Sequence, residues 1–134
     1  MNQSEDAAYR KAASKYSVSY MSNAKWLKLF RTVISAGVPL EQARWKFIDT
    51  EHFVEVSFPT EKDLEPTGFA DGKFQPFEYR WLESVFIPHA FKPKVGVGYE
   101  KKQDTVAVVA ALEKAGQFPV EVSPEGVTIC GYRV

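Results

Sequence analysis

Residues 43–58, ARWKFIDTEHFVEVSF, constrain the fold more than any other stretch of the chain. Ala43, Trp45 and Phe47 alternate with Arg44 and Lys46, and Val54, Val56 and Phe58 alternate with Glu55 and Ser57. A period of two is the pattern of strands that bury one face. Between the two runs lie Asp49, Thr50 and Glu51, polar residues of the kind that reverse a chain tightly. The stretch therefore predicts an antiparallel hairpin whose tip runs from Asp49 to His52. A sheet with one apolar face needs a second layer to cover it.

That layer is legible on either side. SNAKWLKLFRTVISAG offers Ser22 or Asn23 as an N-cap and places Trp26, Phe30, Val33 and Ile34 on one helical stripe. Gly37 suits the position after the helix, and Pro39 prevents its continuation. Further on, Asp104 or Thr105 caps VAVVAALEKAG, a short helix that is apolar nearly all round and ends at Gly116. The Ala-rich segment EDAAYRKAASKYSV near the start favours helix by composition, with a thin stripe of Ala8, Ala12 and Tyr16.

Three more strands complete the pattern. FEYRWLESVFIP reads as a strand with Tyr79, Trp81, Val85 and Ile87 on one face and Leu82 and Phe86 on the other, ended by Pro88. FPVEV and VTICGYRV flank SPEG, a type I turn by its Pro and Gly positions. The connection HAFKPKVGVGYEKK predicts a short extended piece over Val95 to Tyr99. The order is helix, helix, three strands, helix, two strands. It predicts an α+β domain over residues 22–134, a mostly antiparallel sheet of about five strands with helices on one side, preceded by a helical extension over residues 1–21.

The 134 residues are enough for one domain that folds on packing alone. One cysteine, Cys130, excludes a disulfide within the chain and suits a reducing compartment. The N-terminal segment lacks the apolar core of a signal peptide. The longest apolar run, TVAVVAAL, is far too short to span a bilayer. Cytoplasmic location and no membrane association are the expectations. Seventeen basic and seventeen acidic side chains cancel. That argues against a dedicated nucleic-acid binder, which depends on concentrated positive charge.

Few residues suggest chemistry. Serine-hydrolase elbows, P-loops, zinc spacings and EF-hand loops are absent. No cofactor is expected, and the enzyme reading ranks below the binding reading. Asp49, Glu51 and His52, with His89, are of the types that ligate metals or move protons. They would form a site only if His89 lay beside the hairpin tip, because a metal needs converging ligands. Cys130 reads as a small buried strand residue.

Charge is uneven along the chain. Residues 51–83 carry eight acidic and three basic side chains, a net of −5, whereas residues 21–50 carry a net of +3. The loop PTEKDLEPTGFADGKFQP combines those acids with rings. Asp63, Glu65 and Asp71 with Phe69, Phe74 and Phe77 are accordingly the candidate surface for a basic protein partner. Homodimerisation through an uncovered C-terminal strand is a further reading.

SNAKWLKLF, the strand pair RWKFIDTEHFVEV and the closing LEKAGQFPVEVSPEGVTICGYR together resemble an uncharacterised bacterial family of small proteins, a domain of unknown function. The marks are Asn23, Lys25 and Trp26 at the helix start, Trp81 in the aromatic strand, and Gly131 with Tyr132 at the end. The resemblance spans residues 22–133. It implies a bacterial source and carries no activity. By analogy of fold class, a non-enzymatic binding module of the kind found among toxin-neutralising immunity proteins is the expected function.

Overall fold

A computed structural model of the chain describes residues 3–69, 77–93 and 99–134. The α-helices among these residues are α1 (Gln3–Ala13), α2 (Asn23–Ser35) and α3 (Thr105–Ala115). The main sheet has five strands: β1 (Ala43–Phe47), β2 (Phe53–Val56), β3 (Leu82–Pro88), β4 (Val120–Val122) and β5 (Gly126–Cys130). Their spatial order is β2-β1-β3-β5-β4, antiparallel throughout. The fold is α+β with an antiparallel sheet, as the patterning predicts.

The helices start where their caps stand. The Ser22 hydroxyl accepts from the Lys25 amide, and the Asp104 carboxylate accepts from the Ala107 amide. At the end of α2, Gly37 adopts a φ of +73°, a conformation costly for any residue with a Cβ.

Period-two alternation sends Ala43, Trp45, Val85, Ile87 and Ile129 to the helix-covered face. There they meet Trp26, Leu29, Phe30 and Val33 of α2 and Val108 and Leu112 of α3. Phe30 is the hub. Its ring lies 5.1–5.8 Å from those of Trp26, Trp45, Phe58, Phe69 and Tyr79. The opposite face of the sheet presents Arg44, Lys46, Ser84, Phe86 and Thr128.

The third strand and the end of the chain depart from the sequence reading. The third strand begins at Leu82, because Tyr79–Trp81 forms a 3-10 turn. Within the strand, Glu83 is an extra residue without a partner on β1, and Leu82 thereby joins Val85 and Ile87 in the core instead of sharing a face with Phe86. A register irregularity between Lys46 and Phe47 absorbs the offset. Phe77–Glu78 pairs instead with Gly68–Phe69, giving the acidic loop a ladder of its own.

The last strand is not an uncovered edge. β5 lies between β3 and β4, and Tyr132–Arg133 pairs with Val18–Ser19. The edges of the main sheet are β2 and β4, so the homodimer expected through the last strand would not form on β5 of this sheet. The helical N-terminal segment is docked. Asp6 pairs with Arg80 at 3.2 Å, the Tyr9 ring packs edge-on against Trp81, and the Tyr16 hydroxyl donates to Glu83. Finally, Ala90–Phe91 pairs with Lys101–Lys102, whereas most of the extended piece expected over Val95 to Tyr99 lies outside the described residues.

Candidate functional site

The loop after β2 is built differently from an exposed acidic surface. Asp63 is only 5% exposed. Its carboxylate accepts from the Thr60 amide at 2.8 Å and the Thr60 hydroxyl at 3.0 Å, closing a single 3-10 turn over Glu61–Asp63. The charge serves a cap, because a turn this short leaves backbone donors that need a partner. Phe69 is 3% exposed and belongs to the core, packed on Phe30, Trp45 and Tyr79. Neither residue can be the exposed contact expected of it. Asp71 and Phe74 lie outside the described residues.

The remaining two candidates do take part in a surface feature. Glu65 is exposed and Phe77 half-buried, and both line a cleft of about 670 Å³. Its apolar wall is Phe47, Phe77 and Trp81. Phe77 is held edge-on between Phe47, at 4.8 Å, and Phe69, at 4.7 Å. Around the rings stand, among the described residues, four carboxylates, Glu5, Asp49, Glu65 and Glu78.

Local backbone bonds position two of them. Ile48, beside Asp49, donates its amide to the Trp81 carbonyl at 2.8 Å. Glu65 donates its amide to the Gly68 carbonyl at 2.9 Å and accepts at its own carbonyl from the Tyr79 hydroxyl at 2.7 Å. The Asp49 and Glu65 carboxylates have no hydrogen-bond or ion-pair partner among the described residues, whereas Glu78 reaches Arg80 at 3.4 Å. Among the described residues, the cleft is thus a ring-walled recess lined by carboxylates, of which Asp49 and Glu65 have no cationic partner.

The metal reading meets a different geometry. Asp49, Glu51 and His52 do form the connection between β1 and β2, where the His52 amide donates to the Thr50 hydroxyl. His52 precedes the Phe53–Lys46–Ser84 row of the sheet, and His89 follows Pro88 at the other end of β3. Some six residues of strand, about 20 Å, separate the two ends. The hairpin tip is therefore not joined by His89, and no group of three or more His, Cys, Asp or Glu converges among the described residues.

Both ring nitrogens of His89 are engaged. Nε2 faces the Ser123 carbonyl at 3.1 Å and therefore carries the proton, leaving Nδ1 to accept from the Thr105 hydroxyl. His89 thereby ties the end of β3 to the start of α3 and to the β4–β5 turn. Cys130 is buried, and burial, with the Glu83 charge second, pushes its thiol above the ordinary range. A nucleophile needs the opposite shift.

No protein-family model, curated protein or solved structure matches the chain. The geometry alone carries the functional reading. Among the described residues, no helix is long and apolar enough to cross a membrane. Glu5, Glu78 and Trp81 are cleft residues that motif reasoning passes over. They meet Asp49 and Glu65 only through the docking of α1 and the turn before β3, and nothing local in the sequence signals that meeting.

Proposed function

We propose that this protein is a non-enzymatic protein-binding module that receives a basic segment of its partner in the acidic, ring-walled cleft. The observation that carries the reading is the pairing of Asp49 and Glu65. They come from separate loops, flank the same three rings, and have carboxylates without partners among the described residues. A lysine or arginine entering there meets carboxylates at its head and aromatic faces along its stem. Long-range steering adds to the on-rate, since residues 51–83 carry a net of −5. An immunity-type inhibitor is one form such a module takes.

Selection from a displayed random peptide library tests this. Enriched sequences are expected to carry Lys or Arg beside apolar residues and to bind more weakly as salt rises. They should lose binding by about tenfold or more to the double variant Asp49→Lys/Glu65→Lys, a loss of at least about 1.4 kcal/mol. Circular dichroism checks that the variant is folded. Enrichment without a basic bias, or undiminished binding by the folded variant, refutes the proposal.

A further inference from the structure

The open face of the sheet holds a second surface of opposite character. Its centre is Arg44. In the register of the sheet, Arg44 stands opposite Phe86 on β3 and opposite Glu55 on β2, with Phe53 two pairs along, opposite Lys46. The guanidinium lies over both rings, 5.1 Å from the Phe53 centroid and 5.5 Å from that of Phe86. Two rings hold the planar group by cation–π attraction and restrict its rotamers before any ligand arrives.

The Arg44 donors are nevertheless only loosely engaged among the described residues. Its nearest carboxylate is Glu55 at 3.9 Å, the outer limit of an ion pair, and Glu55 already accepts from the Gln42 side-chain amide. Arg44 makes no side-chain hydrogen bond to any described residue. Lys46, the other cation of this face, is by contrast paired with Glu83. The Thr128 side chain stands opposite Phe86 on the Arg44 row, and Ser84 stands opposite Lys46, two residues along β3; neither hydroxyl has a hydrogen-bond partner among the described residues. Arg44, Lys46, Phe53, Ser84, Phe86 and Thr128 line a single open groove of about 700 Å³, which also reaches Glu125 in the β4–β5 turn.

We infer that this groove binds an extended peptide segment of a partner protein through one carboxylate seated on Arg44. A guanidinium offers two parallel N–H groups that match a carboxylate, and charge assistance makes such bonds the strong ones. The shape selects a peptide. The groove crosses β2, β1, β3 and β5, three strand spacings or about 14 Å, which matches roughly four extended residues. It is too open to enclose a small molecule on most sides. The charge balance speaks against a polyanion. Lys46 is paired with Glu83, Glu55 stands 3.9 Å from Arg44, and Glu125 lines the groove, so a nucleic acid strand would meet cations that each have a carboxylate beside them. The Ser84 and Thr128 hydroxyls can serve the peptide backbone, and Phe53, half exposed at 51%, can cover its apolar side.

This surface is distinct from the acidic cleft, and one selection separates the two. Peptides from the random library are ranked for binding to the full-length protein, to Asp49→Lys/Glu65→Lys, to Arg44→Gln and to Arg44→Lys. The expected result is a class of clones bearing Asp, Glu or a free C-terminal carboxylate that the cleft variant retains. Arg44→Gln binds that class about tenfold or more weakly, and Arg44→Lys, which keeps the charge but loses the fork, falls between. Replacing the acidic residue of a selected peptide by its amide should abolish binding. Absence of acid-bearing clones overturns the inference, as does their equal binding to folded Arg44→Gln. If Arg44→Gln does not fold, Arg44→Lys decides by the same comparison. Oligothymidylate binding tighter than the peptides and dependent on Arg44 overturns it in favour of nucleic acid. Loss of the basic clones alone would count against the cleft and leave Arg44 supported.

Discussion

At the residue scale, Tyr79 shows how one side chain links core, loop and cleft. Its ring packs on Phe30 and Phe69, and its hydroxyl donates to the Glu65 carbonyl, fixing the backbone that presents the Glu65 carboxylate. Burial, the largest cause, pushes the phenol up to about 12. The linkage has a definite sign. Below pH 10 both folded and unfolded chains hold this proton, and the stabilisation is fully present. Above pH 10 the unfolded chain releases it first, so stability falls as pH rises toward 12. Tyr16 and Tyr132 are shifted upward as well, chiefly by burial and then by their hydrogen bonds to Glu83 and Tyr9, so they act in the same direction. Urea midpoints are therefore expected to drop between pH 9 and pH 11. Tyr79→Phe should cost about 1 kcal/mol at neutral pH through the lost hydrogen bond and show a shallower alkaline decline. Midpoints that do not move over that range would contradict the assignment.

At the scale of elements, the connection before α3 is secured by Gln103, a residue with no motif around it. Its Oε1 accepts from the Glu41 and Gln42 amides at 2.8 and 3.1 Å, and its Nε2 donates to the Gln42 and Pro88 carbonyls at 3.0 and 2.9 Å. One buried amide thus joins the entry of β1 to the end of β3. Gln103→Ala strands four backbone groups and should cost about 2–4 kcal/mol, read as a lowered thermal midpoint; a change within error would show that water replaces the amide without penalty. Gln103 also illustrates what a linear reading can reach. The hairpin, α2, α3 and the SPEG turn were legible because their signals are local: alternation, the caps Ser22 and Asp104, and Gly37 after α2. Gln103 was not, since two of its three partner residues, Glu41 and Gln42, lie some sixty residues away in sequence. Phe69 looked exposed because its neighbours are acids, prolines and glycines, yet it packs on rings from α2 and β1. The same limit applies to the cleft. Glu65 and Phe77 stood out in the loop and Asp49 in the hairpin tip, but only the fold makes them neighbours.

At the scale of the whole molecule, a formal charge of zero conceals an acidic cleft and an Arg44-centred groove, and the N-terminal arm is joined to the surroundings of both. Glu5 lines the cleft, and Tyr16 bonds to Glu83, the carboxylate that neutralises Lys46 beside the groove. The arm is held by the Asp6–Arg80 ion pair, by Tyr9 against Trp81, and by the chain Tyr9–Tyr132–Arg80, in which the Tyr132 hydroxyl donates to the Arg80 carbonyl at 2.7 Å. The Arg80 side chain is only 19% exposed, so the loss of Asp6 would leave a largely buried guanidinium with a reduced set of acceptors. Removal of residues 1–16 is therefore expected to cost about 2–3 kcal/mol, while the sheet still folds against α2 and α3. Tryptophan emission gives a direct check. Trp26 and Trp45 are about 1% exposed within the main core, whereas Trp81 is partly covered by Tyr9, so a red shift on truncation reports Trp81. The same truncation removes one of the four cleft carboxylates, and basic peptides should bind it severalfold more weakly. An unchanged emission maximum would mean that α1 does not rest on Trp81 in solution. A red shift with undiminished basic-peptide binding would place recognition on Asp49 and Glu65 alone.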